Sequence, residues 1–162
     1  MATSFEGVTL RNYRPEDVQP IKAIDGEFQR ELGFGTREHP LYDHLDLDDI
    51  DGIYTNTGGR FWVAEHAGAV VGYGAVLRVD EETARLRRFR VGTGWRRRGL
   101  ATLLLEQAEA FCRARGFRRI TLGTSHLQDA AQALYRKHGY VEVRRYPYND
   151  FLIEIEFEKE LA

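Results

Sequence analysis

The chain has 162 residues, with 25 acidic and 23 basic side chains and a formal net charge of −2. That length fits a single domain over residues 1–162, and the charge sets up no global field to recruit nucleic acid or an anionic membrane. An apolar fraction of 43% excludes disorder; one cysteine, Cys112, excludes an internal disulfide or a thiolate-rich metal site, and no apolar run approaches the ~20 residues that span a bilayer.

The first six residues, Met1 to Glu6, hold neither the basic nor the apolar run of a secretion signal, which makes the cytoplasm the expected location. A first strand is expected at 8–11. In Arg14-Pro15-Glu16-Asp17 a proline and two acids then open a helix at its electropositive end. Val18, Ile21, Ile24, Asp25 and Phe28 recur at helical spacing, with Asp25 the one polar member of the stripe, and the helix ends near Gly33. Residues 34–40 read as a loop. The acidic stretch after Tyr42 (Asp43, Asp46, Asp48, Asp49, Asp51) holds a short helix at 47–54. Three strand-like runs follow at 60–65, 69–79 and Thr83–Val91, and the short turns between them make an antiparallel meander. Gly72 and Gly74 point to a bulge or a close backbone approach. In the third run Ala84, Leu86, Arg88 and Arg90 alternate only imperfectly with Arg85, Arg87 and Phe89.

The helix at 99–115 is the clearest element, with Leu100, Leu103, Leu104, Ala108, Phe111 and Cys112 on its apolar face and Gly116 past its end. Cys112 on that face reads as a small core residue. A buried-type strand at 118–123 follows, then a helix at 129–138 with Ala130, Ala133 and Leu134 inside. Two last strands lie at 140–146 and 151–158. This order predicts an α/β (α+β) fold, a mixed central β-sheet that is antiparallel early and parallel in the middle, with helices on both faces.

One segment carries chemistry: Phe89-Arg90-Val91-Gly92-Thr93-Gly94-Trp95-Arg96-Arg97-Arg98-Gly99-Leu100-Ala101. A strand ends at Val91, and a helix opens near Gly99. The first amides of a helix have no partner within it and carry partial positive charge, so a diphosphate fits there. Gly99 removes a Cβ from the approach, and the arginines add charge-assisted bonds. The segment is not a P-loop, because Leu100 and Ala101 stand where lysine and serine or threonine are required. Nor is it a dinucleotide fingerprint, because Arg97 stands where the third glycine would be.

Arg96-x-x-Gly99-x-Ala101 at a strand-to-helix turn resembles the acetyl-CoA signature of the GNAT N-acetyltransferase superfamily, and Ala131-x-x-Leu134-Tyr135-x-x-x-Gly139-Tyr140 resembles its second motif. The likeness covers about residues 60–143. It implies acetyl-CoA as cosubstrate, with Phe89, Arg90 and Val91 on the pantetheine arm and residues 97–102 (Arg97, Arg98, Gly99, Leu100, Ala101, Thr102) with Arg96 around the pyrophosphate. It also implies two strands that splay beyond Val91 and Gly123. The implied activity is transfer of the acetyl group to a primary amine by direct attack.

That reaction needs an acid for the departing thiolate. Tyrosine, with an ordinary pKa of about 10, is protonated at neutral pH, and Tyr135 stands where the family places this residue. The reaction also needs a base for the amine. Many relatives carry a glutamate in the strand before the second motif, but this chain has Leu122-Gly123-Thr124 there. His126 is nearby with a suitable intrinsic pKa, Glu65 is a further candidate, and a water-mediated route stays open. Residues 86–101 with 121–140 also resemble a GNAT branch that includes cysteine-conjugate N-acetyltransferases. Those relatives are membrane-anchored and carry glutamate at the Gly123 position, so their substrate is not carried over.

The resemblance puts the acceptor between residues 28–51 and Tyr146-Pro147-Tyr148-Asn149-Asp150. The acids there suit a cationic small-molecule or peptide amine, and Tyr42, Tyr146 and Tyr148 suit an apolar wall. His39 and His44 read as loop surface residues, and no metal is expected. No nucleic-acid or membrane partner is expected, while exposed late strands allow a homodimer. Two rival readings stand beside the enzyme: an inactive acetyl-CoA-binding sensor, and a nucleic-acid module using the arginine cluster.

Overall fold

Short turns between strands leave only antiparallel neighbours, whereas a helix spliced between two strands carries the chain back to run parallel. Both rules operate here. The computed structural model describes residues 4–5, 7–42 and 45–162, so the readings of the extreme N-terminus and of Asp43 and His44 lie outside the described residues. Its strands are β1 (Ser4–Phe5), β2 (Val8–Asn12), β3 (Arg60–His66), β4 (Ala69–Arg78), β5 (Thr83–Val91), β6 (Arg119–Ser125), β7 (Val141–Pro147) and β8 (Ile153–Glu160). The helices are α1 (Val18–Glu31), α2 (Ile50–Ile53), α3 (Leu100–Ala114) and α4 (Asp129–Lys137).

The strands form one mixed sheet in the order β1-β2-β3-β4-β5-β6-β8-β7. Its one parallel pair among the described residues is β5 with β6, joined through α3. The crossover through α4 also sets β7 parallel in direction to β6, but β8 lies between them and pairs antiparallel with both. The predicted parallel middle of the sheet is thus present, and β8 supplies a second antiparallel half.

One face of the sheet packs α3 and α4 through Leu86, Leu105, Ala108, Cys112, Leu122, Tyr135, Ile155 and Phe157. The other face packs α1 and the short helical turns through Ile21, Leu47, Ile50, Tyr54, Phe61 and Tyr73. Burial of Cys112 pushes its thiol up to about 12, so it stays a neutral apolar side chain.

Three local readings change. The acidic stretch folds as a short 3₁₀ turn (Leu45–Asp48) followed by the four-residue α2, because the Asp49 carboxylate accepts the Gly52 amide and restarts the helix. On α3 the buried face includes Leu105 and Glu109. Glu109 is held there by the Tyr140 hydroxyl at 2.8 Å and by the Lys159 ammonium at 3.0 Å, which satisfies a charge that burial would otherwise penalise. On α4 the inward side is Ala131, Leu134 and Tyr135, while Ala130 and Ala133 are exposed. The large ring of Tyr135, packed against Tyr140 and Phe157, sets that rotation.

A break in β5 matters most for function. Tyr73 pairs with Arg90 but Ala75 pairs with Arg87, so β5 spends one extra residue there. Arg88 takes the left-handed conformation at φ 63° to absorb it. Gly74 on the facing strand leaves the room: a Cβ at that position would meet the Phe89 ring at 3.0 Å. Gly74 thus serves close approach to a bulge on the partner strand, while Gly72 lies beside a bulge of β4 itself, where Ala64 pairs with Gly72 but Glu65 with Val70.

Candidate active site

The parallel β5–β6 pairing covers only Thr83 to Arg85 against Arg119 to Thr121. Beyond Arg85 the strands part, earlier than the predicted divergence past Val91 and Gly123, and the β5 main chain from Leu86 onward has no strand neighbour on the β6 side. The gap leads to the turn before α3. There Arg97 (φ 60°) and Gly99 (φ 87°) are both left-handed, which folds the chain tightly and turns its amides outward. The first hydrogen bond across the start of α3 runs from the Leu103 amide to the Gly99 carbonyl at 3.1 Å. No side chain caps the start of α3 at Gly99. Uncapped helix amides of this kind form an anion site.

Side chains hold the turn in place. Arg96 makes a two-pronged pair with Glu31 of α1 at 2.5 Å, Thr93 donates to Glu27 at 3.1 Å, and the Arg98 guanidinium stacks 4.0 Å over the Trp95 ring. A cavity of about 610 Å³ runs from this turn along the gap. Phe89, Arg90, Val91, Arg96, Arg97, Gly99, Leu100, Ala101 and Thr102 line it, so of the ten sequence-predicted cofactor residues only Arg98 stands outside the lining. Trp95, Leu127 and Gln128 are among the other wall residues. Free amides, a glycine at the turn and a long slot fit the diphosphate and extended arm of acetyl-CoA. When bound, that molecule supplies the activated acyl group as a thioester.

A second cavity, of about 260 Å³, joins the first at Phe28, Leu32, Phe89, Arg90, Gln128, Ala131 and Tyr135. Its far end is aromatic, with Phe34, Tyr42 and Tyr148, and its floor holds Arg85, Gly123, Thr124, Ser125 and Glu154. Several long-range ties build it. The buried Gln29 side chain accepts the Tyr42 amide at 2.6 Å and donates to the Tyr42 carbonyl at 3.2 Å. His39 lies 3.2 Å from Asp150 and edge-on to Phe151, which ties the 34–42 loop to the β7–β8 turn.

Three carboxylates fix the arginines. Arg88 donates to both oxygens of Asp46 at 2.6 and 2.8 Å, and the Tyr54 hydroxyl donates to the same carboxylate at 2.6 Å. Burial pushes the Asp46 carboxyl up, but these donors outweigh it and hold its pKa below the ordinary value. Arg85 donates to both oxygens of Glu156 and to Thr121. Arg88 and Arg90 each lie 3.9 Å from Asp25, which explains the polar member of the α1 stripe. Arg90 also stacks 3.7 Å over Phe28.

Tyr135 sits where the two cavities meet. Burial raises the pKa of its hydroxyl, with Arg90 opposing more weakly, so it is a proton donor at neutral pH. Among the described residues that hydroxyl has no hydrogen-bond partner. His126 lines neither cavity, and its Nδ1 accepts the Ile153 amide at 2.9 Å, which ties β6 to β8. Glu65 pairs with Arg11 in the β2–β3 ladder, away from both cavities. The described acids of the 45–51 stretch do not reach the acceptor cavity either. Asp46 is taken by Arg88, Asp48 by Lys22, and Asp49 by its helix cap. Tyr42 and Tyr148 line the wall expected of them, and Tyr146 does not. Glu154 lines the acceptor cavity, and no reading of the sequence singled it out. Among the described residues no group of three or more His, Cys, Asp or Glu side chains is placed to hold a metal ion. No helix there is long and apolar enough to cross a membrane.

Comparison with known proteins matches this geometry. Residues 22–140 fit the sequence model of the acetyltransferase (GNAT) family. An acetyltransferase from Streptococcus agalactiae superposes with a TM-score of 0.82 at 26% identity, covering 97% of this chain and all of its own. An acetyltransferase from Salmonella typhimurium, solved with its cofactor acetyl-CoA, shares the fold at a TM-score of 0.77 and 18% identity, covering 97% of this chain and 95% of its own. Among curated proteins, N-acetyltransferase family 8 member 2 of Rattus norvegicus is 36% identical over 106 residues, 62% of this chain and 47% of its own length. The chain spans less than half the length of the curated relatives it matches.

Proposed function

The chain belongs to the GNAT acetyltransferase family, and from that premise we propose that it transfers the acetyl group of acetyl-CoA to the nitrogen of a primary amine by direct attack. The observation that carries this reading is the meeting of two cavities at Tyr135. One opens on uncapped helix amides and the other on an aromatic wall. The amides of residues 97–102 hold the diphosphate, and the unpaired edge of β5 from Leu86 to Val91 holds the arm by main-chain bonds. The Tyr135 hydroxyl gives a hydrogen bond and then a proton to the leaving sulfur.

The acceptor is a small primary amine or the free end of a peptide, its apolar part against Phe34, Tyr42 and Tyr148. The modest volume of that cavity supports this, and the acids of residues 46–49, expected to meet a cationic amine, are engaged by Arg88, Lys22 and the α2 cap instead. Titration calorimetry with acetyl-CoA, followed by thiol release over a panel of primary amines, tests the reading. Saturable binding together with amine-dependent thiol release is expected. Binding with no release on any amine fits a sensor and overturns transfer, and absence of binding overturns both.

A further inference from the structure

An alkylammonium cannot attack a thioester until it loses a proton, and a carboxylate or imidazole within reach normally takes it. We infer that Glu154, on β8, is the catalytic base that binds the acceptor's ammonium and removes its proton, occupying space that Gly123 leaves empty. This rests on the acyl-transfer reading above.

Three observations support the assignment. Glu154 is the one carboxylate among the described residues that line the acceptor cavity. No hydrogen bond or ion pair among the described residues takes its oxygens, whereas Glu156, two residues on, is spent on Arg85. Third, a Cβ built on Gly123 would meet Glu154 Oε1 at 2.5 Å and Arg85 Nη2 at 2.9 Å. Any larger residue at position 123 therefore displaces the carboxylate, and the bare backbone there is what lets a side chain from the neighbouring strand enter the cavity floor.

The electrostatics agree with the placement. Burial raises the Glu154 carboxyl, the like charge of Glu156 raises it further, and Arg85 and Arg90 of β5 pull it back. Tyr146 and Tyr148 face it from β7 and the turn beyond, both with raised hydroxyls that stay neutral at physiological pH. The reaction balances as follows. The ammonium gives one proton to Glu154, and the amine nitrogen bonds to the acyl carbon as the carbon–sulfur bond breaks. The thiolate takes the Tyr135 proton, and the second amine proton returns to Tyr135. The products are amide, thiol and one proton, which Glu154 releases to solvent.

The test uses the full chain, the best amine of the panel and two variants. Glu154→Gln should lower kcat about 100-fold at neutral pH while acetyl-CoA affinity stays within about threefold. The double variant Gly123→Glu with Glu154→Gly, which delivers the carboxylate from the other strand, should recover at least about tenfold of that loss. A purely structural glutamate would give no such rescue. Independently of turnover, the carboxyl carbon of Glu154, assigned by its disappearance from the Glu154→Gln spectrum, should titrate above the ordinary glutamate value of about 4.3. A rate for Glu154→Gln close to wild type, or a midpoint at or below that value, overturns the assignment. A wild-type protein that binds acetyl-CoA but acetylates no amine overturns the transfer reading itself.

Discussion

The turn before α3 and the acceptor cavity meet at one tyrosine but are built by different means. The turn works through its main chain: two left-handed residues and a helix start without a side-chain cap, all within residues 97–102. The acceptor cavity works through side chains drawn from α1, the 34–42 loop, β5, β6, α4 and β8, more than a hundred residues apart. A main-chain site depends on conformation and tolerates many side chains, whereas a side-chain site depends on each partner being present. The two regions should therefore fail differently when altered.

The largest effect belongs to the side-chain site. Asp46→Ala leaves the buried Arg88 guanidinium without its bidentate partner, and loss of one partner of a buried pair costs about 3–5 kcal/mol. Urea denaturation should register that loss, and acceptor turnover should fall with it. The pH sign follows from the lowered Asp46 carboxyl. The pair's stabilisation is complete above the unfolded value of about 3.9 and is lost as pH falls through the lower native value. Wild type should therefore lose more stability than Asp46→Ala in strongly acidic solution. Equal losses would separate this pair from the fold's acid sensitivity.

Tyr135→Phe comes next. It keeps the ring packing and removes only the proton donor, so kcat should drop about 100-fold with acetyl-CoA affinity nearly unchanged. An unchanged kcat would take Tyr135 out of the chemistry. Gly99→Val probes the main-chain site. A β-branched residue forced to φ 87° strains the turn by about 1–3 kcal/mol, and calorimetry should show acetyl-CoA affinity weakened about tenfold or more with the acceptor KM little changed. Arg96→Ala should do least. Its pair with Glu31 is surface-exposed, so stability should shift by less than about 1 kcal/mol, and any loss of acetyl-CoA affinity should shrink as salt rises. If Arg96→Ala outweighs Gly99→Val in that titration, the turn binds by side-chain charge and the contrast between the two regions fails.

The same contrast governs what the sequence disclosed. The turn was readable because its determinants are contiguous: a strand end, a glycine and a leucine-rich helix in one stretch. The boundaries of α3 and α4 followed from periodicity for the same reason. The acceptor cavity was not readable in that way. The acids of residues 46–49 looked like a cationic-substrate surface, yet Asp46 and Asp48 answer a buried arginine and a lysine. Glu154 and Gly123 are 31 positions apart and become neighbours only through the β6–β8 pairing, which no local spacing reveals. His126 was attractive by its place in the sequence and its intrinsic pKa, but its ring nitrogen accepts a main-chain amide between those two strands.

The extra residue in β5 has one more consequence, which concerns phase. In an unbroken strand, odd and even positions keep opposite faces to the end. Here Ala84 and Leu86 pack toward α3 before Arg88, and Phe89 and Val91 do so after it, so the parity of the strand switches midway. The spelling Arg85-Leu86-Arg87-Arg88-Phe89-Arg90 is the imprint of that switch. Two arginines on odd numbers and two on even numbers come to line a single wall. Deleting residue 88 would remove the bulge and leave Phe89 and Arg90 on the faces they now hold, since Arg87 would be followed directly by Phe89. Straightening the strand with every residue kept is what would exchange the greasy and cationic sides downstream as far as Val91.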